Sequence, residues 1–395
     1  MTRIGFLTGS GERIKSMRIA VFTDTYLPQV NGVTKTLSRM KEYMRRADIE
    51  SIFITPASPV GDPDILALPG LKFFLYPELS MALPRYFYIR QVMDDFRPQV
   101  IHLATELPVG LMGLKYALSR GCPLTASYHT NFPEYLDYYN LSVLEGLAWK
   151  YLSWFHSHMR INFCPSQATA RLLSRQGFPN LSIMGRGIDD EGFSPGLRSP
   201  EWRKSWNIPE DCMLLLYVGR LAVEKELEVL VKACRYLAGG PWRLMMVGDG
   251  PLRQELEQYR DERIIFAGYR SGEELRRIYA SADIFVFPSS TETYGNVILE
   301  AMASGVPVVA PRAGGVQENL IEGYNGFYFD PHDAQGMAAA IKKLMDDPSL
   351  RRELGHNACR HGQSRTWKEV FGQVFDSYRQ LIEESSSAHK NEASA

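Results

Sequence analysis

Short apolar runs, separated by longer stretches with helical spacing, recur in two series along this 395-residue chain, and that alternation limits its possible folds more than any other feature. The first series is MRIAVF (17–22), SIFITP (51–56), QVIHLA (99–104), PLTASY (123–128) and INFCPS (161–166). The second is MLLLYVG (213–219), RLMMVGDG (243–250), RIIFAG (263–268), DIFVFPS (283–289) and VPVVAP (306–311). Runs that are apolar at nearly every position predict strands covered on both faces. The helical spacers predict crossover connections, so each series reads as a parallel sheet of βαβ units. The expected class is α/β, with two doubly wound sheets in tandem.

Between the two series lies RGIDDEGFSPGLRSPEWRKSWNIPED, rich in Gly, Pro and charge and without an apolar period. This is a linker signature and places the boundary near Phe193–Ser199, giving a first domain over 17–195 and a second over 196–365. Residues 1–16 precede the opening strand and are expected to be a disordered extension. A helix over 366–384 has an amphipathic period, and the polar tail 385–395 is expected to be unfolded.

The charge balance excludes one large class of partners. Lys+Arg 44 against Asp+Glu 45 leaves a formal net charge of -1, so no global field draws the protein to nucleic acid. The five cysteines are odd in number and lack a C-x-x-C pair, which indicates neither a disulfide framework nor a zinc site. No apolar run has the length of a membrane span, and the expected location is cytoplasmic.

Ligands of open α/β sheets sit beyond the carboxyl ends of the strands. Polar residues gather there: Thr23 and Asp24, Thr105 and Glu106, His129 to Asn131, and Ser166 in the first half. In the second half they are Gly219 and Arg220, Gly248 to Pro251, Gly268 and Tyr269, and Ser289 to Glu292. Two such edges suggest two domains facing one another across a cleft.

The most informative stretch is TETYGNVILEAMASGVPVV (291–309). A buried strand runs into a helix that starts near Asn296 and is ended by Gly305, which sets Glu292 in the loop and Glu300 one to two turns inside the helix. Backbone N–H groups from Tyr294 to Val297 have no partner within the helix, and the dipole there favours an anion, so a phosphate is the expected visitor. Carboxylates beside a phosphate make poor electrostatics unless they bind neutral hydroxyls while cations neutralise the charge. A sugar nucleotide supplies such hydroxyls. Arg220 and Lys225, in VGRLAVEKELEVL, can supply the positive charge, although ordinary ion pairs with Glu224, Glu226 or Glu228 would equally explain Lys225 on its own.

Other signals are weaker. Gly32 in NGVTKTL could let amides approach a phosphate, as could many turn glycines. VGDGPL has Arg253 where a dinucleotide fingerprint needs its third glycine. His129 could donate to a bound hydroxyl or sit as a satisfied core histidine. The P-loop, H-E-x-x-H and G-x-S-x-G motifs are absent.

The segments GRLAVEK, VGDGPL, FAGY, SADIFVFPSSTETYGNVILEAMASGVPVVAP and GGVQENLIEGYNGF, in this order, resemble the family-4 retaining glycosyltransferases of GT-B architecture, over residues 17 to about 384. The first half, with FTDTYLPQVNGVTKTL, SYHTNFPEYLDYY and GRGIDDEGFSP, looks most like the branch of GDP-mannose-dependent α-mannosyltransferases and of glycolipid sulfoquinovosyl- and glucosyltransferases. The resemblance implies that Glu292 holds hydroxyls of the transferred sugar and Glu300 the ribose. It implies that Arg220 and Lys225 neutralise the diphosphate, aided by Thr293, Tyr294, Gly295 and Asn296. It places Gly32 against the leaving phosphate, His129 against the sugar and Tyr269 beside the base. It further implies that no metal or other cofactor is required, that the helix over 366–384 crosses back to the first domain, and that attack occurs on the front face, with the leaving phosphate taking the acceptor proton. One departure is Glu226, where many relatives carry a small residue after the lysine.

The acceptor is expected to be a lipid or a glycan, and the oligomeric state is open. KFFLYPELSMALPRYFYIRQ (72–91) and LAWKYLSWFHSHMR (147–160) mix aromatics with basic residues, a composition suited to peripheral contact with a bilayer. In the latter, Leu144, Leu147, Ala148, Tyr151, Leu152 and Phe155 follow a helical stripe and are expected in the core, with Trp149, Lys150 and Trp154 off it. A UDP-sugar-dependent transferase, a nucleotide-sugar epimerase and a non-catalytic sugar-nucleotide sensor remain as alternatives.

Overall fold

A computed structural model of the chain describes residues 17–393 except 30, 57–61, 74–75, 83–84, 132, 134–141, 189–191, 238–239 and 260. The expected extension over 1–16 lies outside the described residues. The chain divides into two compact units, one of residues 1–127 with 375–395 and one of residues 128–374.

In the first unit the order is β1 (Arg18–Phe22), α1 (Gly32–Arg46), β2 (Glu50–Thr55), β3 (Ile65–Ala67), β4 (Gly70–Phe73), β5 (Tyr76–Ala82), α2 (Tyr86–Phe96), β6 (Val100–Leu103), α3 (Pro108–Arg120) and β7 (Leu124–Ser127). Its parallel strands lie in the order β3-β2-β1-β6-β7, and β4 and β5 form a separate antiparallel ribbon. β6 and β7 are buried at every residue, and β1 from Ile19 onward, which is why they read as unbroken apolar runs.

The polar residues at these strand ends have structural work. Asp24 reaches across to the start of α3, where its carboxylate accepts from Val109 N at 2.9 Å and from Thr105 Oγ1 at 2.6 Å. This satisfies a helix start that Leu107, the N-cap residue, cannot satisfy with its own side chain. Burial raises the Asp24 carboxyl above its ordinary value despite those donors. His102 of β6 is fully buried, hydrogen-bonded to Thr125 Oγ1 at 3.0 Å and Ser127 Oγ at 3.1 Å, and burial lowers it to about 3.

The second unit contains α4 (Glu145–His156), β8 (Ile161–Cys164), α5 (Gln167–Arg175), β9 (Leu181–Ile183), α6 (Pro200–Ser205), β10 (Met213–Val218), α7 (Leu227–Tyr236), β11 (Trp242–Val247), α8 (Arg253–Glu257), β12 (Ile264–Gly268), α9 (Gly272–Ser281), β13 (Ile284–Val286), α10 (Asn296–Ala303), β14 (Val308–Pro311), β15 (Gly326–Phe329), α11 (Ala334–Asp346) and α12 (Pro348–Gln363). A six-stranded parallel sheet in the order β12-β11-β10-β13-β14-β15 forms its main core, and β8 pairs with β9. The final helix, α13 (Trp367–Ala393), passes from one unit to the other: residues to Val374 group with the second unit and those from Phe375 with the first. In the first unit Tyr378 Oη lies 3.0 Å from His102 Nδ1.

Three local expectations change. The stretch read as a linker is packed: Trp202 is buried, Arg203 pairs with Asp283 at 3.1 Å, and Phe193 meets Tyr279 edge-on at 5.4 Å. Its glycines, prolines and charges serve short turns and ion pairs. The tail expected to be unfolded is helical to Ala393, since a helix already nucleated upstream extends at little cost through residues that include neither Gly nor Pro. On α4 the buried residues are Trp149, Leu152, Phe155 and His156, while Leu144 and Leu147 are exposed. The inward face is rotated from the expected stripe because Trp149 packs edge-on against Phe178, with its Nε1 donating to Glu145 at 3.2 Å.

Candidate active site

The second unit brings most of the candidate residues onto the carboxyl edge of its six-stranded sheet. β10 runs buried to Val218 and releases the chain at Gly219 and Arg220. The next loop, after β11, lies directly against it: Gly219 N donates to Val247 O at 3.0 Å and Leu221 N to Asp249 O at 2.9 Å. Gly248, at φ 138, is needed there because a Cβ would stand 1.9 Å from Gly219 O. VGDGPL is thus a backbone-packing motif in this chain.

Beyond Arg220 a short 3₁₀ turn, Val223–Lys225, ends at Glu226, whose backbone is left-handed at φ 51. That turn is bound to the loop after β13. Ser289 Oγ donates to Glu224 O at 3.1 Å and Thr291 Oγ1 to the same oxygen at 3.4 Å. Glu226 Oε1 takes the hydroxyl and amide of Ser290, and its other oxygen lies 3.3 Å from His332 Nδ1. A glycine at 226 would suit the backbone better. The glutamate departs from the small residue expected there because its carboxylate anchors Ser290.

These ties bring Lys225 and Glu292 together. Lys225 Nζ lies 2.7 Å from Glu292 Oε2, with the two side chains 16% and 20% exposed. Burial pushes the Glu292 carboxyl up, but the attraction of Lys225 and donors from Lys225, Gly295 and Thr293 outweigh it, and the group titrates below its ordinary value. Lys225 thus pairs with a carboxylate 67 residues away, a partner outside the neighbouring acids weighed for it from sequence. Arg220 stands 3.9 Å from Glu224 Oε1, half-sheltered, and burial lowers its guanidinium from the usual value.

Glu292 is followed by the start of α10. Gly295 is its N-cap residue at φ 82 and has no side chain with which to cap the helix; the Glu292 carboxylate takes the N–H groups of Gly295 and Thr293. Thr293, Tyr294, Gly295 and Asn296 lie at the helix N-terminus, as expected. Tyr294 is buried, its Oη donating to Arg186 O at 3.3 Å and its own carbonyl accepting from Asn319 Nδ2 at 3.2 Å. Glu300, on the second turn of α10, is buried and accepts from Tyr279 Oη at 2.9 Å. Tyr269 directly follows β12 and is 53% exposed, open to a planar ring.

His129 belongs to the same unit. Its carbonyl accepts from Thr293 Oγ1 at 3.3 Å, and its Nδ1 lies 2.9 Å from a guanidinium nitrogen of Arg186. Arg186 was not singled out from the sequence, because it stands in the segment read as a linker; the only signal was a charged residue between two glycines after a three-residue strand. Gly32 lies in the other unit, at the first position of α1, behind the N-cap Asn31, whose side chain accepts from Thr34 N.

Chemically, the second unit offers two cations, a depressed carboxylate and a helix N-terminus along one sheet edge, which suits a ligand with both anionic oxygens and neutral hydroxyls. Comparison with known proteins agrees with that chemistry. Residues 198–361 match the family described as glycosyl transferases group 1, and residues 30–191 match glycosyltransferase family 4. The chain is 31% identical over 381 residues to a GDP-mannose-dependent alpha-mannosyltransferase of Corynebacterium glutamicum, covering 94% of this chain and 91% of that one. It is 32% identical over 370 residues to the sulfoquinovosyl transferase SQD2 of Arabidopsis thaliana (90% and 72% covered). It is 29% identical over 355 residues to an alpha-monoglucosyldiacylglycerol synthase of Streptococcus pneumoniae (85% and 80%). Among solved structures, sucrose-phosphate synthase from Thermosynechococcus elongatus superposes with a TM-score of 0.80 at 22% identity, covering 93% of this chain and all of that one. The fold is GT-B, with two parallel-sheet Rossmann-like domains, and the chain belongs to glycosyltransferase family 4.

Proposed function

We propose that this glycosyltransferase is a retaining hexosyltransferase that moves an α-mannosyl residue from GDP-mannose to a hydroxyl of a lipid or glycan acceptor. The observation that carries this reading is the Lys225–Glu292 pair, set one residue ahead of the segment that opens α10. Its cation and carboxylate serve the two halves of a nucleotide-diphosphate sugar. Lys225 and Arg220 neutralise the diphosphate, with Tyr294 and Asn296 donating backbone N–H groups, while those of Thr293 and Gly295 hold Glu292. Glu292, kept anionic by its neighbours, accepts from sugar hydroxyls, and Glu300 from the ribose. Gly32 lies against the leaving phosphate, Tyr269 against the base, and His129 against the sugar.

In this reading no side chain forms a covalent intermediate. The acceptor hydroxyl attacks C1 on the face that the leaving group vacates, the C1–O bond to the diphosphate breaks, and the departing phosphate takes the acceptor proton. Stabilising the charge that develops on that phosphate is the main catalytic contribution, and it requires neither metal nor other cofactor.

A UDP-sugar donor is the second reading; the likeness to a monoglucosyldiacylglycerol synthase and a sulfoquinovosyl transferase favours a transferred sugar other than mannose. A lipid acceptor accords with the exposed apolar residues Val143, Leu144, Leu147 and Trp154 around α4, which suit peripheral contact with a bilayer. Among the described residues no helix is long and apolar enough to cross a membrane.

The test is incubation with GDP-mannose, UDP-glucose and UDP-N-acetylglucosamine in turn, with diacylglycerol vesicles as acceptor, following free nucleotide and the anomeric configuration of the product. GDP release with an α-linked product is expected. UDP release selects the second donor, an isomerised donor indicates an epimerase, and binding of all three without turnover indicates a sensor.

A further inference from the structure

Arg186 is an unusual neighbour for a histidine of a sugar-binding site. It is 5% exposed, one guanidinium nitrogen donates to Met184 O at 3.0 Å and Gly185 O at 3.1 Å, and the other stands 2.9 Å from His129 Nδ1. Burial lowers the guanidinium to about 10, which leaves it cationic at neutral pH. A guanidinium has only donors. The nitrogen facing it must therefore accept, and a proton on Nδ1 would set two N–H groups against each other. The neighbouring backbone holds this geometry from both sides, since Thr293 Oγ1 donates to His129 O and Tyr294 Oη to Arg186 O. Both donors come from the loop that also carries Glu292.

We infer that Arg186 is a positioning residue that locks His129 in its Nε2–H tautomer, so that His129 acts in transfer as a hydrogen-bond donor to a sugar or phosphoryl oxygen and never as a base. The tautomer follows from the contact alone; its use in transfer rests on the proposed function. The carbonyl-side ties transmit the lock to the Glu292 loop, so the histidine and the carboxylate that flank the sugar are set by one buried cation.

The experiment is ¹⁵N–¹H correlation NMR of the full-length protein labelled at histidine, with His129 assigned by the signals that vanish in His129→Asn. The expected spectrum has an unprotonated Nδ1 and a protonated Nε2. Arg186→Met is expected to lose this single tautomer and Arg186→Lys, which keeps a cationic donor, to retain it. Turnover of GDP-mannose is expected to fall about tenfold in kcat in Arg186→Met, with little change in donor KM, as suits the loss of one positioned hydrogen bond. The double variant with His129→Ala should fall no further than His129→Ala alone.

A protonated Nδ1 in the wild type overturns the lock outright, and losses that add in the double variant overturn the claim that Arg186 works through His129. If Arg186→Met does not fold, the wild-type spectrum and the Arg186→Lys kinetics decide the same points. The expected tautomer with unchanged turnover in His129→Ala supports the lock and rejects its use in transfer, which separates a failure of this inference from a failure of the functional reading.

Discussion

Replacing Lys225 by methionine keeps the length of the side chain, removes the cation and leaves Glu292 as a sheltered carboxylate. The lost contact is a charge-assisted hydrogen bond of 2.7 Å between side chains 16% and 20% exposed. Such a bond contributes about 1.5–3 kcal/mol. Full Coulomb attraction would be larger, but residual solvent screens it and desolvation offsets it. For a unit of this size each kcal/mol moves the midpoint by about 2–4 °C, so a Tm lower by about 3–12 °C is expected in differential scanning fluorimetry. Glu292 titrates below its ordinary value in the folded chain. The stabilisation it derives from Lys225 is therefore complete above the unfolded value of 4.5 and disappears as pH falls through the lower folded value. The Tm gap between wild type and Lys225→Met should accordingly be constant at neutral pH and close in acid. Turnover should fall about 10²–10³-fold, the scale of removing one stabilising group from a developing anion. A Tm gap that widens on acidification would refute the electrostatic argument. Wild-type turnover in a folded Lys225→Met would refute the site.

Other positions test separate links. Gly295→Ala places a Cβ at φ 82 and 2.9 Å from Ile298 Cδ1, and about 1–2 kcal/mol of stability should be lost in urea titration, with weaker binding of GDP if the start of α10 holds the diphosphate. Trp149→Ala should cost about 3–5 kcal/mol because that ring is buried against Phe178, whereas Leu147→Gln should change stability by less than about 0.5 kcal/mol. Leu147→Gln combined with Trp154→Gln should reduce flotation of the protein with anionic liposomes, and unchanged flotation would remove α4 as a bilayer contact. Tyr378→Phe should cost about 1 kcal/mol by removing one hydrogen bond from the buried His102, and a cost near zero would mean that the hydroxyl does not hold α13 in place.

The positions of the long parallel strands were legible because a strand covered on both faces has no polar side to interrupt it. MLLLYV and RIAVF announce themselves in this way. β3, β9 and β15 were not, since three or four residues of mixed character carry no period, and β15 is recognisable only through its pairing with β14. Glu292, Glu300 and the helix start between them were readable because strand, loop and helix follow one another locally. The partner of Lys225 was not, because the acidic residues near it in sequence outnumber the one that packing delivers from a distant loop.

Local sequence thus determined where the sheets run and which residues stand at their carboxyl ends, since burial and helix termination act over a few neighbouring residues. Only the tertiary structure decided which of those residues meet. It gave Asp24 to the start of α3, turned Trp149 inward in place of Leu147, packed the segment that resembled a linker, and set Arg186 against His129 from 57 residues away. Pairings of this kind depend on how whole elements close over one another, and a buried charge or ring takes whichever partner that closure leaves within reach.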